Sequence, residues 1–117
     1  MSGETMHWET VCRTQELSPN LGACAFVKNK QIAIFRVRVA SDEKFYALDN
    51  YCPFGHANVL SRGLVGDLQG KIVVASPLYK HHYALDTGEC LEDASVQVKV
   101  YPIRVENDEV KICVVDN

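Results

Sequence analysis

Asn50-Tyr51-Cys52-Pro53-Phe54-Gly55-His56 opens the stretch that decides how this chain is read. Ser76-Pro77-Leu78-Tyr79-Lys80-His81-His82-Tyr83-Ala84-Leu85-Asp86-Thr87-Gly88 closes it. Each half begins as a short loop in which a proline follows a Cys or a Ser. Cys52, His56, His81 and His82 are all metal-ligand types, so the first question is whether the two loops hold a metal. Cys52 and His56 are separated by three residues, which in extended chain sets them about 13 Å apart. A turn at Pro53 and Gly55 shortens that distance, and a zinc site completed by His81 or His82 is one reading. Adjacent histidines point to opposite faces of a strand, so the other reading has one of that pair turned inward and His56 facing solvent or an interface. A Cys52/His56 nucleophile pair lacks a visible orienting group or oxyanion donor.

Outward from the loops the chain is rich in strand signals. Between them, Leu60 to Gly70 carries Gly63, Gly66 and Gly70, which argues against a helix and for a convoluted connector. It has no Gly-Lys-Ser/Thr ending and is not a phosphate loop. Lys71–Ala75 reads as a strand buried on both faces. On the N-terminal side, residues 1–6 are polar and expected to fray, and Trp8–Arg13 forms a first strand. Turn chemistry follows from Glu16 to Gly22. Cys24–Val27 and Ile32–Phe35 pair around Lys28-Asn29-Lys30, and Phe45–Leu48 continues the meander after Ser41–Lys44. On the C-terminal side, Tyr83–Leu85 runs into Asp86-Thr87-Gly88, a tight turn with glycine in the left-handed position. Val96–Val105 and Val110–Val115 form a last hairpin around Asn107-Asp108, with Val110, Ile112 and Val114 on one face. About eight short strands with no helix-period segment predict an all-β fold, an antiparallel sandwich or small barrel.

Composition fits this picture. The 117 residues suit one domain spanning 1–117, and 47% apolar content supports a core without staples. A net charge of −3 with no basic stripe excludes a nucleic-acid footprint. No apolar run approaches the roughly 20 residues of a membrane span, and the start carries no leader pattern, so a cytoplasmic protein is expected. Five cysteines at irregular spacing are expected as free thiols, with Cys12, Cys24 and Cys113 as small buried hydrophobes.

From Asn50 onward the chain resembles the Rieske-type ferredoxin domain. Tyr83-Ala84-Leu85-Asp86-Thr87-Gly88 and Val100-Tyr101-Pro102-Ile103-Arg104-Val105 match that family's later signature. The resemblance implies a Rieske-like antiparallel β-sandwich with an inserted loop subdomain, here residues 50–88. It departs at the ligands. The family's loops carry Cys-x-His and Cys-x-x-His, and the corresponding positions here hold Cys52, Phe54, Ser76 and Tyr79. A [2Fe–2S] centre of this type needs two thiolates and two imidazoles. One thiolate cannot hold it, so no cluster and no metal is expected.

Pro53-Phe54, Val59-Leu60-Ser61-Arg62-Gly63-Leu64 and Val74-Ala75-Ser76-Pro77-Leu78 narrow the resemblance. They are similar to segments of the small subunits of cytoplasmic NAD(P)H-dependent nitrite reductase, which lack the cluster ligands. That resemblance implies a partner, the large catalytic subunit carrying FAD, siroheme and a [4Fe–4S] cluster, which reduces nitrite to ammonia. The chain itself is then expected to bind no cofactor and to be non-catalytic. Tyr51, Phe54, His56, Arg62, Leu78 and Tyr79 are the expected partner interface, because large apolar and aromatic groups at loop tips concentrate at interface cores. The opposing view packs them against one another, filling the space of a missing cluster. Two other functions compete: an electron-transfer ferredoxin with a non-standard site from Cys52, His56, His81 and His82, and an interaction module without a redox partner.

Overall fold

A computed structural model describes residues 5–78 and 80–116, with side chains described for 8–78 and 80–114. Twelve strands form among them. β1 is Thr5–Arg13, β2 Gly22–Val27, β3 Lys30–Val39, β4 Asp42–Asp49, β5 Tyr51–Cys52 and β6 Ala57–Asn58. β7 is Leu64–Leu68, β8 Lys71–Ala75, β9 His82–Ala84, β10 Val100–Tyr101, β11 Ile103–Glu106 and β12 Glu109–Asp116. Single 3-10 turns occupy Thr14–Glu16 and Leu60–Arg62.

The strands make two larger antiparallel sheets and an inserted pair of small ones. The terminal sheet has the order β1-β12-β11 and the central sheet β10-β4-β3-β2. The insert consists of the ribbon β5-β6 and the sheet β7-β8-β9. The period-2 alternation of β3 decides how these layers stack. Ile32 and Ile34 face the terminal sheet and pack with Leu17, Val27, Ala47, Tyr101, Val110, Ile112 and Val114. Ala33, Phe35 and Val37 face the insert and pack with Leu48, Cys52, Leu60, Val74, Tyr83, Leu85 and Val98. The central sheet is therefore buried on both sides, and β3 is its apolar spine. In β8, Val73 and Val74 are both buried, so that strand is covered on two faces at its centre.

The all-β Rieske-like architecture follows the sequence reading, but several local readings are corrected. Thr5 and Met6, expected to fray, pair with Asp116 and Val115 in the terminal sheet; residues 1–4 lie outside the described residues. The expected irregular connector contains β7, which pairs in register with β8 from Leu64↔Ala75 to Leu68↔Lys71. Gln69 and Gly70 both take positive φ (54° and 80°), a two-residue hairpin turn of the primed kind whose twist suits the strands. Gly66 sits inside β7 with open space where a Cβ would lie, so it weakens the strand without breaking it. The expected hairpin arm Val96–Val105 is split at Pro102. β10 pairs with β4 before it, and β11 pairs with β12 after it. Proline has no N–H for a ladder bond, and the chain changes sheets there. Cys113 is buried, but Cys12 is half-buried and Cys24 exposed; β2 is the sheet's edge strand and leaves one of its faces open. All five cysteines are free.

The paired loops as a candidate functional site

Two equivalent loops make the tip of the insert. The first joins β5 to β6, and the second joins β8 to β9. In each the fifth residue counted from Cys52 or Ser76 takes a left-handed backbone, His56 at φ 53° and Lys80 at φ 55°. Non-glycine residues enter that region at a cost of about 1 kcal/mol. Local bonds hold the loops there: His56 N–H donates to Cys52 O at 2.8 Å, and Ser76 N–H to His81 O at 2.9 Å.

The loops meet at Cys52 and Ser76, whose Sγ and Oγ are 3.1 Å apart in a buried contact. Ser76 Oγ also accepts from Leu78 N–H at 3.2 Å, and either the thiol or the hydroxyl can donate across the pair. Gly55 N–H donates to Cys52 Sγ at 3.4 Å, and Tyr83 Oη lies 4.0 Å from the same sulfur. A short buried polar chain thus ties both loops to β9. Burial, and then the neighbouring Cys52, push the Tyr83 phenol well above its ordinary range.

Phe54 is half-buried and stacks on His81, with ring centroids 3.8 Å apart and planes within 7°. His81 Nδ1 is buried without a hydrogen-bond partner among the described residues. Leu78 lies over Gly55, where an added Cβ would come within 2.6 Å of Leu78 Cδ1. His56 Nδ1 is 3.0 Å from Tyr51 Oη, and both residues are exposed. Arg62 is exposed at the end of its 3-10 turn. Leu78 keeps 36% of its surface exposed. Tyr79 lies outside the described residues. His82 is engaged elsewhere: Nδ1 is 2.6 Å from Glu92 Oε2, and its N–H donates to Glu92 Oε1 at 2.8 Å. Partial burial pushes the Glu92 carboxyl up, but these hydrogen bonds outweigh it and hold the group below its ordinary value.

The histidines singled out in the sequence therefore go to different partners. Among the described residues no three His, Cys, Asp or Glu side chains are grouped to hold a metal ion. The fold implies a [2Fe–2S] cluster, and the residues present do not fit one. Cys52 and Ser76 stand side by side as two ligands of one iron would. However, a hydroxyl hydrogen-bonded to a thiol is no substitute for a thiolate, and Phe54 offers a stacked phenyl ring where an imidazole is required.

Sequence reasoning missed Asn50, which pins the tip to the central sheet. It is only 2% exposed. Its Oδ1 accepts from Ser61 N–H at 2.7 Å, and Nδ2 donates to Asn58 O at 3.1 Å and to Gln31 Oε1 at 3.3 Å. The only sequence signal was a polar amide immediately before the loop, with none of its partners within seven positions. Tyr101 is a second such tie. Its phenol donates to Asp49 Oδ1 at 2.5 Å, and burial, followed by that carboxylate, raises its pKa.

Both tyrosines predict an alkaline limit. Their phenols ionise later in the folded chain than in the unfolded one. Stability is thus fully present below about pH 10 and falls above it by about 1.4 kcal/mol per pH unit for each tyrosine. Urea unfolding at pH 9, 10 and 11 checks this: Tyr83→Phe and Tyr101→Phe should each flatten the decline by that amount. A decline unchanged in both variants would refute it.

Comparison with known proteins agrees with this architecture. Residues 7–113 match the Rieske-like [2Fe-2S] domain family. The nitrite reductase (NADH) small subunit of Salmonella typhimurium is 42% identical over 105 residues, covering 90% of this chain and 95% of its own. The solution structure of the nitrite reductase [NAD(P)H] small subunit from Erwinia carotovora superposes with a TM-score of 0.77 at 44% identity, covering 94% of this chain and 83% of that one. The nitrite reductase [NAD(P)H] large subunit of Klebsiella oxytoca contains a region 39% identical over 103 residues, 88% of this chain but 10% of that protein. The chain belongs to the Rieske-like [2Fe–2S] domain family and, within it, to the nitrite reductase small subunits.

Proposed function

We propose that this chain is a cluster-free, non-catalytic small subunit of a cytoplasmic, assimilatory NAD(P)H-dependent nitrite reductase. It binds and supports a large subunit that carries the flavin, siroheme and [4Fe–4S] centres and converts nitrite to ammonia. The observation that carries the cluster-free part is the contact between Cys52 and Ser76, with Phe54 stacked on His81 in the same pair of loops. The tip is packed with side chains that a cluster would have to displace. The large-subunit relative that contains an equivalent region in its own polypeptide supports the partnership, because a fused domain is held permanently beside the catalytic body. Tyr51, Phe54, His56, Arg62, Leu78 and Tyr79 form the contact surface in this reading.

Two measurements test it. The purified chain should contain no stoichiometric iron and show no visible absorption; one [2Fe–2S] equivalent per chain would restore the ferredoxin reading. Phe54→Asp sets a charge against the His81 ring and should weaken binding to the large subunit at least about tenfold, as loss of a central aromatic anchor does. Binding undiminished in that variant would remove the loop tip from the interface.

A further inference from the structure

Leu64 is the most exposed large apolar side chain among the described residues, at 76%. It begins β7, immediately after the turn that carries Arg62. Beside it a cavity of about 180 Å³ runs along the insert, lined also by Arg62, Ala75, Pro77 and Lys80. This is below the roughly 300 Å³ at which small-molecule sites begin, and it has room for one side chain. The floor is continuous with the loop tip, because Ser76 lines the cavity and also touches Cys52.

Charge identifies what enters. The chain carries a net charge of −3, yet both charged residues lining this cavity are basic and no carboxylate lines it. Neither the Arg62 nor the Lys80 side chain has an ion-pair partner among the described residues, so both charges are available to a partner. Lys80 is moreover fixed at φ 55°, where glycine would be easier, so the loop presents its ammonium from a strained backbone.

We infer that this groove receives a single apolar side chain of the large subunit, flanked by Asp or Glu, and so extends the interface from the loop tip onto β7. The apolar walls and Leu64 exclude water from the inserted group. Arg62 and Lys80 meet the flanking carboxylates, set the register of docking and speed encounter at low salt. The inference rests on the small-subunit reading above.

The test uses the full chain and the large subunit co-produced from the same source. Leu64→Ser alters an exposed side chain and leaves the core intact. Lys80→Gly suits the positive φ, so the fold is kept or strengthened while the charge is lost. Arg62→Glu reverses the second charge. Each should raise Kd about tenfold, and the two charge variants should also flatten its salt dependence. Phe26→Ser, on a residue 70% exposed that lines a separate groove, should bind as the parent does. If Phe54→Asp weakens binding while the three groove variants do not, the groove inference fails and the small-subunit reading stands. If the parent chain does not bind the large subunit at all, both fall. If Leu64→Ser abolishes self-association of the isolated chain in sedimentation but leaves large-subunit binding intact, the groove is a contact between copies of this chain, and the inference is again overturned.

Discussion

Gly88→Ala is expected to unfold this domain at ordinary temperature. Gly88 closes the turn after β9 at φ 80°, and a Cβ there would lie 1.9 Å from Val98 O. The obstacle is backbone. Gly88 and Val98 are also joined by a hydrogen bond, Val98 N–H to Gly88 O at 2.8 Å, so neither can withdraw without opening the segment that covers the insert core. Left-handed strain alone costs about 1 kcal/mol, and a clash of this kind belongs with the changes that exceed 4 kcal/mol. That is most of the stability of a small domain. Two other glycines grade the effect. Gly70 has φ 80° but open space at its Cβ, so Gly70→Ala should cost only about 1 kcal/mol. Gly66 has neither constraint, so Gly66→Ala should be neutral or stabilise by about 0.5 kcal/mol. Urea midpoints in that order would support the packing argument, and a folded, fully stable Gly88→Ala would refute it.

Asn50→Ala is expected to cost about 3 kcal/mol and to loosen the tip selectively. The substitution strands Ser61 N–H and Asn58 O, which Asn50 satisfies at 2.7 and 3.1 Å in part-buried contacts. Each orphaned group carries a penalty of about 1–3 kcal/mol. Asn50→Asp keeps an acceptor for Ser61 but loses the donor and buries a charge, so it should not rescue. Hydrogen exchange locates the damage. Protection should fall at Ser61 and across the loop tip, whereas Ile112 and Val114 in the terminal sheet keep theirs relative to global stability. Uniform loss across all amides would mean that Asn50 acts on the whole domain and not on the tip.

How much of this was legible in the sequence depended on the range of the interaction. Alternating strands such as Ile32–Phe35 and the paired turn residues Asn107-Asp108 declare themselves locally, and the all-β class followed from them. The Tyr83–Gly88 turn was readable because it needs particular residues at adjacent positions. The hairpin β7–β8 was not. Three glycines suggested disorder of direction, and only the pairing with β8 shows that Gly66 is tolerated inside a strand. The split at Pro102 was missed for a similar reason, since Val100 and Tyr101 join β4 across more than fifty positions. At the site, the replacement of cluster ligands could be seen residue by residue. That Cys52 and Ser76 bond to each other, that Phe54 spends its face on His81, and that His82 turns away to Glu92 are outcomes of three-dimensional packing. No spacing rule encodes them. Arg62 and Lys80 lie far apart in sequence, so their shared groove was invisible as well.

The pairing of β1 with β12 sets the timetable on which this protein is made. Thr5 lies opposite Asp116, and the register runs along both strands to Arg13 and Glu109. The face of β3 formed by Ile32 and Ile34 has its cover only when Val110, Ile112 and Val114 arrive. On the ribosome, the N-terminal strand and this apolar face must therefore wait until nearly the whole described chain has been synthesised. Bringing such distant segments together carries a large loop-closure cost, which places the domain among slow folders, on the order of milliseconds to seconds. During that wait β1 is an unpaired edge beside an uncovered apolar surface, the state most open to aggregation and to chaperone capture.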